Sequence, residues 1–151
     1  MRVIVVDDHD LVRAGIIAQI DAHDDIEVVG QAASVGQAVD VIATTEADVV
    51  LLDVHLPGGD GGGGAEVIRR TLAGAGNTPQ FLALSVSDAA ADVVSVIRAG
   101  ARGYVTKSIN SEELIESLQR VMGGDAAFSP KLAGFVLDAF GTSESAVAEQ
   151  D

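Results

Sequence analysis

The sequence contains no cysteine, and none of its apolar runs approaches the roughly 20 residues that a helix needs to cross a bilayer. The lack of cysteine excludes disulfides, thiolate zinc sites and cysteine nucleophiles. The N-terminus runs directly into the strand-like segment Arg2-Val3-Ile4-Val5-Val6 and has no small-residue cleavage site, so we recognise no signal peptide. These absences predict a cytoplasmic protein with no membrane partner.

Basic residues are also scarce. Nine Lys and Arg stand against 23 Asp and Glu, which gives the chain a net charge of −14. A nucleic-acid backbone would repel a domain this acidic, so any DNA binding is expected to come from elsewhere, and a cation or a basic protein surface is the more natural ligand. The 151 residues, 48% hydrophobic and 21% charged, are typical of one globular domain with a sizeable core.

Short apolar segments alternate with helical patterns along most of the chain. The apolar segments predict five buried parallel strands: Val3–Asp7, Glu27–Ala32, Val49–Asp53, Phe81–Ser85 and Gly103–Thr106. The patterns between them predict helices over Leu11–Ala22, Val35–Thr44, Ala65–Ala73 and Ala89–Ala99, and a fifth helix after Asn110. This alternation predicts an α/β fold with a doubly wound parallel sheet and helices on both faces.

Capping residues and apolar spacing refine these helices. Ser34 is the predicted N-cap of the second helix, and Gly100 closes the fourth at the usual C′ position. Asn110 and Glu113 form a capping-box pattern at the start of the fifth helix. Four apolar residues are expected on one face of that helix: Leu114, Leu118, Val121 and Met122.

The chain changes character after the fifth helix. Gly123-Gly124-Asp125 ends that helix, and Ser129-Pro130 is typical of a new helix start. An apolar stripe on this predicted linker helix is expected to pack on the first domain, on a further domain or on a second copy: Leu132, Phe135, Val136, Ala139 and Phe140. Small polar residues follow, as in linkers. We therefore expect one domain over residues 1–123 and a linker helix with a polar tail over residues 124–151.

Three carboxylates follow strands of the predicted sheet. Asp7 and Asp8 end the first strand, and Asp53 ends the third. Ligands of open α/β sheets bind outside the carboxyl ends of the strands. If these two strands are neighbours, the three carboxylates converge, and their mutual repulsion favours a hard divalent cation such as Mg²⁺. A carboxylate held beside such a cation can attack a phosphoryl group.

Two further residues are expected at the same end of the sheet. Ser85 ends the fourth strand, and its hydroxyl can hydrogen-bond a phosphoryl oxygen. Lys107 follows the fifth strand, and its ammonium can pair with the phosphate. Each residue alone is typical of a turn, a cap or a solvated surface. Their joint position at the carboxyl ends of strands favours one phosphoryl-binding site.

Four segments together resemble the receiver domain of bacterial two-component response regulators over about residues 1–123: Val5-Val6-Asp7-Asp8-His9, Leu51-Leu52-Asp53-Val54-His55-Leu56-Pro57, Leu84-Ser85 and Gly103-Tyr104-Val105-Thr106-Lys107. The resemblance implies a flavodoxin-like (CheY-like) fold with five strands in the order 2-1-3-4-5. It implies that Mg²⁺ binds to Asp8, Asp53 and the backbone carbonyl of His55. Asp7 would help directly or through water.

The same resemblance implies how a signal is received. Asp53 would accept a phosphoryl group from a cognate histidine kinase, with Lys107 as the phosphate anchor. Ser85 and Tyr104 would form a switch pair. A receiver of this kind assists its own phosphorylation and dephosphorylation but is not otherwise an enzyme.

Within the family the chain is similar to the NarL/FixJ subgroup, whose members carry a LuxR-type helix-turn-helix output domain. The pointers are Ala99-Gly100-Ala101-Arg102-Gly103-Tyr104, Lys107-Ser108, and Phe128-Ser129-Pro130-Lys131-Leu132. The resemblance implies transcriptional control through an output domain absent from this chain, so that DNA is a partner only through that domain. A second copy of the chain is a further candidate partner, and a regulator that acts by protein contact alone is the alternative.

The loop after Asp53 departs from the family pattern. Gly58-Gly59-Asp60-Gly61-Gly62-Gly63-Gly64 is glycine-rich, which predicts a mobile loop. It also matches G-x-G-x-x-G at Gly59, Gly61 and Gly64, so a nucleotide-binding enzyme is a rival reading, weakened because the match does not follow the first strand. A phosphatase with an aspartate nucleophile is another, but His55 stands where such enzymes usually carry a second Asp.

The three histidines of the sequence allow two interpretations. His9 and His55 flank the acidic residues, and His23 lies elsewhere in the chain. A transition-metal site that includes a histidine is one interpretation. Solvated loop histidines are the simpler one.

Overall fold

The computed structural model describes residues 1–74, 76, 78–86, 90–128, 134, 137 and 138, with only the backbone of Ala90 included. Five strands and five helices alternate, and a short sixth strand follows. The strands are β1 (Arg2–Val6), β2 (Glu27–Ala32), β3 (Val49–Asp53), β4 (Gln80–Ser85), β5 (Gly103–Thr106) and β6 (Ala127–Phe128). The helices are α1 (Asp10–Asp21), α2 (Val35–Thr44), α3 (Gly63–Ala73), α4 (Ala90–Ala99) and α5 (Ser111–Met122).

All six strands form one parallel sheet in the order β2-β1-β3-β4-β5-β6. The predicted order of the first five strands is confirmed, but the prediction of a five-stranded sheet was one strand short. Ala127 and Phe128 pair with Gly103 and Tyr104 at the edge of the sheet. A two-residue strand has no measurable alternation of polar and apolar residues, so the sequence pattern could not reveal it.

The core lies in two layers because successive strand residues point to opposite faces of the sheet. On one face, Ile4, Val50 and Phe81 pack beneath α2, α3 and α4. On the other face, Val5, Leu51 and similar residues pack beneath α1 and α5. β3 is buried along its whole length, which explains why it reads as a continuous apolar run.

The predicted caps are confirmed at two helices. The Ser34 hydroxyl accepts a hydrogen bond from the Gln37 N–H at 3.3 Å, and the Asn110 side chain accepts one from the Glu113 N–H at 2.8 Å. Gly100 ends α4 with a positive φ of 130°. The predicted apolar face of α5 is confirmed except at one residue.

Met122 is that exception. Leu114, Leu118 and Val121 are buried, but Met122 is 50% exposed. It is the last residue of the helix, directly before the C-cap Gly123.

The third helix begins two residues earlier than predicted, at Gly63 instead of Ala65. Gly63 has a φ of 61°, and the Gly64 N–H donates to the Val54 carbonyl at 2.8 Å. A Cβ on Gly64 would lie 2.7 Å from the Asp53 carbonyl oxygen, which is closer than real contacts allow. The glycine pair therefore lets the start of α3 lie directly against the backbone that carries Asp53.

The predicted linker helix and polar tail fall mainly on residues 129–151, of which only Gly134, Leu137 and Asp138 are among the described residues. The prediction of that helix and of its apolar stripe Leu132, Phe135, Val136, Ala139 and Phe140 lies outside them. In the described part of the chain, no helix combines the length and the apolar character needed to cross a bilayer.

We predict that Gly64→Ala destabilises the protein, because the added methyl group must push α3 away from the Asp53 backbone. Overpacking of this kind typically costs about 1–3 kcal/mol. Urea unfolding followed by circular dichroism measures the change.

Gly15→Ala is the matched control. Gly15 lies inside α1, and a Cβ there would have nothing within 4 Å. Because alanine is the better helix former, we expect this variant to be as stable as the wild type or more stable by up to about 1 kcal/mol. A Gly64→Ala protein as stable as Gly15→Ala would contradict the close approach.

Candidate functional site

The candidate site lies where β1, β3 and β5 end. Asp7 follows β1 directly, Asp53 is the last residue of β3, and Lys107 follows β5. β1 and β3 are hydrogen-bonded neighbours, with Val6 beside Leu52. The parallel sheet therefore places these three side chains at one edge, as the sequence predicts.

The two buried aspartates are held in the same way. Asp7 Oδ1 accepts the backbone N–H of His9 at 2.9 Å, and Asp53 Oδ1 accepts that of His55 at 3.3 Å. In both cases the carboxylate accepts the backbone N–H of the residue two positions later in the chain. The other oxygen of each carboxylate faces Lys107. Both carboxylates are thus fixed on one side by their own loop and on the other by an ammonium group.

Lys107 bridges the two carboxylates. Its Nζ lies 2.6 Å from Asp7 Oδ2 and 3.5 Å from Asp53 Oδ2, and the Lys107 side chain is 13% exposed. Burial lowers the pKa of the ammonium, but the hydrogen bond to Asp7 and the charge of Asp53 outweigh this, so the pKa of Lys107 lies above its usual value. Lys107 is therefore a fixed positive charge at neutral pH.

The surroundings of Asp53 raise the pKa of its carboxyl group. Burial is the largest cause that raises its pKa to about 6; the attraction of Lys107 opposes this shift, and the neighbouring charges of Asp7 and Asp8 contribute to it. The side chain is only 5% exposed. At neutral pH Asp53 is ionised, but its negative charge remains incompletely compensated.

Asp8 and His9 form the open side of the site. The Asp8 side chain is 30% exposed and the His9 ring 67% exposed. His9 Nδ1 lies 3.1 Å from Asp8 Oδ1 and 3.4 Å from Asp7 Oδ1. Asp8 Oδ1 is buried at the atom level and accepts no hydrogen bond among the described residues.

This arrangement suits a divalent cation. One ligand atom from each of Asp7, Asp8, His9 and Asp53 lies within 4.8 Å of the others. Three of the four residues offer carboxylate oxygens, the donors that hard cations such as Mg²⁺ prefer. Among the described residues the site has one lysine against three carboxylates, so a cation would also relieve their repulsion.

Ser85 is the last residue of β4 and Tyr104 the second residue of β5, and both are fully buried. The Ser85 carbonyl accepts the Lys107 N–H at 2.8 Å, so the serine and the lysine are joined through the backbone. Tyr104 belongs to the core layer under α4, which includes Val93 and Val96. The structure thus brings Asp7, Asp8, Asp53, Ser85 and Lys107 to the carboxyl ends of the strands, whereas Tyr104 lies inside β5 in the core.

Sequence reasoning missed three residues that support the site. Arg13 donates to the Asp7 carbonyl at 2.7 Å and to Gln31 at 2.9 Å, which fastens α1 to the ends of β1 and β2. Asp92 of α4 is the second such residue. It lies 3.1 Å from the His55 ring and so links the loop after Asp53 to that helix. Both contacts join residues distant in sequence or on different elements, which no local pattern reveals.

Glu66 is the third residue and organises the glycine-rich loop. Its carboxylate accepts the N–H groups of Asp60 at 2.9 Å and Gly62 at 2.9 Å, and Arg70 lies 3.2 Å away. The hydrogen bond from Gly62 lowers the pKa of Glu66, which is 5% exposed. Because an internal carboxylate already occupies these donors, the loop offers little to a nucleotide phosphate and is restrained despite its glycines.

Comparison with known proteins agrees with this geometry. Residues 3–119 match the family model of the response regulator receiver domain. The chain is 34% identical to the nitrate/nitrite response regulator protein NarP of Escherichia coli over 145 residues, which cover 95% of this chain and 66% of that protein. It is 36% identical to the response regulator GacA of Pseudomonas viridiflava over 133 residues, which cover 88% of this chain and 60% of that protein.

A solved structure shows the same fold. The crystal structure of a two-component response regulator of the LuxR family from Aurantimonas sp. SI85-9A1 matches with a TM-score of 0.82 and 32% identity. The match covers 91% of this chain and 96% of that one. The chain thus spans 60–66% of the length of the two curated relatives above but nearly all of this solved one.

The raised pKa of Asp53 generates a prediction about stability and pH. A carboxyl group with a higher pKa in the folded than in the unfolded protein destabilises the fold when ionised, and the cost is complete above the folded pKa. We predict that, in EDTA at pH 8, Asp53→Asn is more stable than the wild type by about 3 kcal/mol, the equivalent of a rise in pKa from 3.8 to about 6. At pH 5 the gap should fall to about half, because Asp53 is then mostly protonated in the fold.

Urea unfolding at both pH values measures this gap. Asp24→Asn is the control, because Asp24 is exposed in the turn between α1 and β2 and its change should stay within about 0.5 kcal/mol at either pH. If the wild type were the more stable protein at pH 8 in EDTA, the conclusion that ionised Asp53 destabilises the fold would be wrong.

Proposed function

The chain belongs to the response regulator receiver domain family, and we propose that it receives a signal by phosphorylation of Asp53 by a histidine kinase. One observation carries the proposal. The Lys107 ammonium lies 2.6 Å from Asp7 and 3.5 Å from Asp53, at the point where three strands of the sheet end. The Asp53 carboxylate thus shares one pocket with a fixed positive charge and further carboxylates, which supports its proposed role as the acceptor.

Asp53 is the nucleophile of the proposed reaction. Its pKa of about 6 leaves it ionised at neutral pH, and its charge is only partly compensated, which favours attack. A carboxylate oxygen forms a bond to phosphorus as the bond from phosphorus to the kinase histidine nitrogen breaks, and the nitrogen keeps the electron pair. Attack by water later releases inorganic phosphate and restores Asp53.

We assign the divalent cation to Asp8, Asp53 and the His55 backbone carbonyl, with Asp7 contributing directly or through water. The carboxylates fit this role because they converge within 4.8 Å. Bound Mg²⁺ supplies positive charge that stabilises the phosphoryl oxygens as they become more negative in the transition state. Asp8, the more exposed aspartate, lies beside an open cleft of about 370 Å³ that His55 and Asp92 also line, through which a phosphodonor can approach.

Lys107 and Ser85 complete the proposed pocket for the phosphoryl group. Lys107 is already held beside Asp53 and carries a positive charge, so it can pair with a phosphoryl oxygen without moving far. The Ser85 hydroxyl, on the neighbouring strand, can donate a hydrogen bond to another oxygen. The kinase supplies the phosphoryl group, and the chain's own residues position it.

The proposed readout is a change at the surface formed by α4, β5 and α5. The phosphoryl group adds charge and acceptor oxygens, and the Ser85 hydroxyl moves to donate a hydrogen bond to one of them. Tyr104 is packed beside α4 and lies three residues before Lys107, so a movement of Ser85 reaches it through adjacent strands. The phosphorylated state then favours one packing of this region over another.

We propose transcription control as the output of the full-length protein. Relatives of the chain include the transcriptional regulatory protein LiaR of Bacillus subtilis, which is 32% identical, and the chain spans 63% of its length. With a net charge of −14, the chain itself is poorly suited to DNA, so a separate output domain would contact it. A second copy of the chain and the cognate kinase are the other proposed partners.

Phosphorylation is tested directly by mass spectrometry. With Mg²⁺ and acetyl phosphate, the intact chain should gain the mass of one phosphoryl group, stable in acid and lost in base. Asp8→Asn should slow the gain strongly, because the cation loses a ligand while the acceptor remains.

Asp53→Asn is the essential control for this experiment. It has nearly the same shape as the wild-type side chain but no carboxylate nucleophile, so no stable adduct should form. A modification that persists in Asp53→Asn would place the acceptor elsewhere.

The switch pair generates a separate prediction. Beryllofluoride mimics the phosphoryl group, and its addition with Mg²⁺ should shift the NMR signals of the Tyr104 ring, the single tyrosine of the chain. Ser85→Ala should reduce this shift while Asp53 still reacts with acetyl phosphate. Unchanged Tyr104 signals with the mimic bound at Asp53 would leave phosphorylation intact and refute this route of transmission.

A further inference from the structure

The ring of His9 occupies an unusual position for the first residue before a helix. His9 is the N-cap of α1, yet its side chain makes no capping hydrogen bond. Its Nδ1 instead lies 3.1 Å from Asp8 Oδ1 and 3.4 Å from Asp7 Oδ1. The ring therefore faces the carboxylates of the candidate cation site and not the helix.

The distances between these atoms fit a shared cation. In an octahedral site with bonds of 2.0–2.1 Å, neighbouring ligand atoms lie about 3.0 Å apart. The separation between His9 Nδ1 and Asp8 Oδ1 is close to this value, and that to Asp7 Oδ1 is only slightly longer. Ligand atoms of Asp7, Asp8, His9 and Asp53 all lie within 4.8 Å of one another.

The backbone of His9 is anchored while its ring is free to adjust. The His9 N–H donates to Asp7 Oδ1 at 2.9 Å, and its carbonyl accepts the Arg13 N–H at 2.9 Å, within the first turn of α1. The ring itself is 67% exposed, so a small rotation towards a cation would disturb no core packing. A fixed backbone and an adjustable ring lower the cost of placing an imidazole ligand.

We propose that His9 is an additional ligand of the cation site and makes that site prefer nitrogen-binding transition ions, such as Mn²⁺, Co²⁺ or Ni²⁺, to Mg²⁺. The proposal rests on the function proposed above, because it uses the same Asp8 and Asp53. Imidazole binds Ni²⁺ and related ions well, whereas Mg²⁺ selects oxygen donors. The simpler interpretation is a polar contact in which the His9 ring competes with any cation for Asp8.

The two readings predict opposite effects of removing the ring. If His9 is a ligand, His9→Ala weakens Ni²⁺ and Co²⁺ binding and leaves Mg²⁺ binding nearly unchanged. If His9 only competes with cations for Asp8, the same change strengthens the binding of every divalent ion. The sign of the effect therefore distinguishes them.

The experiment measures Ni²⁺, Co²⁺ and Mg²⁺ affinities by isothermal titration of the full chain without an affinity tag. The expected loss of Ni²⁺ affinity in His9→Ala is on the order of tenfold or more, because even groups outside the ligand set change metal affinity by about 10–100-fold. His23→Ala is the matched control, since His23 lies in the turn after α1, at the opposite end of that helix from His9. It should bind every ion as the wild type does.

A spectroscopic measurement tests the bond itself. Pulsed EPR of the Mn²⁺ complex should show nitrogen hyperfine coupling from a directly bound imidazole in the wild type and in His23→Ala, but not in His9→Ala. Coupling that persists without His9 would overturn the proposal, and so would stronger Mg²⁺ binding by His9→Ala.

Failure of this inference can be told apart from failure of the proposed function. If Mg²⁺ binds and its binding depends on Asp8, but His9→Ala changes neither the Ni²⁺ affinity nor the nitrogen coupling, the role of His9 is refuted and the receiver function stands. If no divalent ion binds at a site that requires Asp8 and Asp53, both proposals fall together.

Discussion

The site depends on one electrostatic constraint, the burial of Asp7 and Asp53 side by side with a single ammonium to compensate them. Both carboxylates are almost inaccessible to water, and Lys107 reaches Asp7 at 2.6 Å but Asp53 only at 3.5 Å. Burial therefore dominates at Asp53 and raises its pKa to about 6, despite the lysine. The fold holds a carboxylate that is ionised but under-compensated, which suits both cation binding and attack on phosphorus.

The surrounding structure keeps this strained arrangement in place. Backbone N–H groups of the following loops fix one oxygen of each aspartate, Arg13 ties the Asp7 carbonyl to α1, and Glu66 closes the loop after β3. These contacts come from loops and helix starts, whereas the strands fix only the direction of the carboxylates. The buried carboxylates are therefore held by hydrogen bonds from the loops as well as by the sheet.

The loop after β3 connects the site to helix α4. His55 is joined to Asp53 by a backbone hydrogen bond and to Asp92 of α4 by its ring. On the other side, Lys107 is bonded through its backbone to Ser85, and Tyr104 lies beneath α4. One set of hydrogen bonds thus runs from Asp53 through His55 to α4, and Tyr104 packs in the core layer under the same helix.

The sequence by itself determined the alternation of strands and helices and the strand ends at which Asp7, Asp53 and Lys107 lie, whereas the order of the first five strands came from the resemblance to receiver domains. Buried parallel strands are apolar runs, and ligands bind outside their carboxyl ends, so composition and spacing carry the first two features. Only the tertiary structure decided the two-residue strand β6, the exposure of Met122 and the partners of Glu66, Arg13 and His9. Those features depend on distances between separate elements, and the pattern of residues along one segment contains no information about such distances.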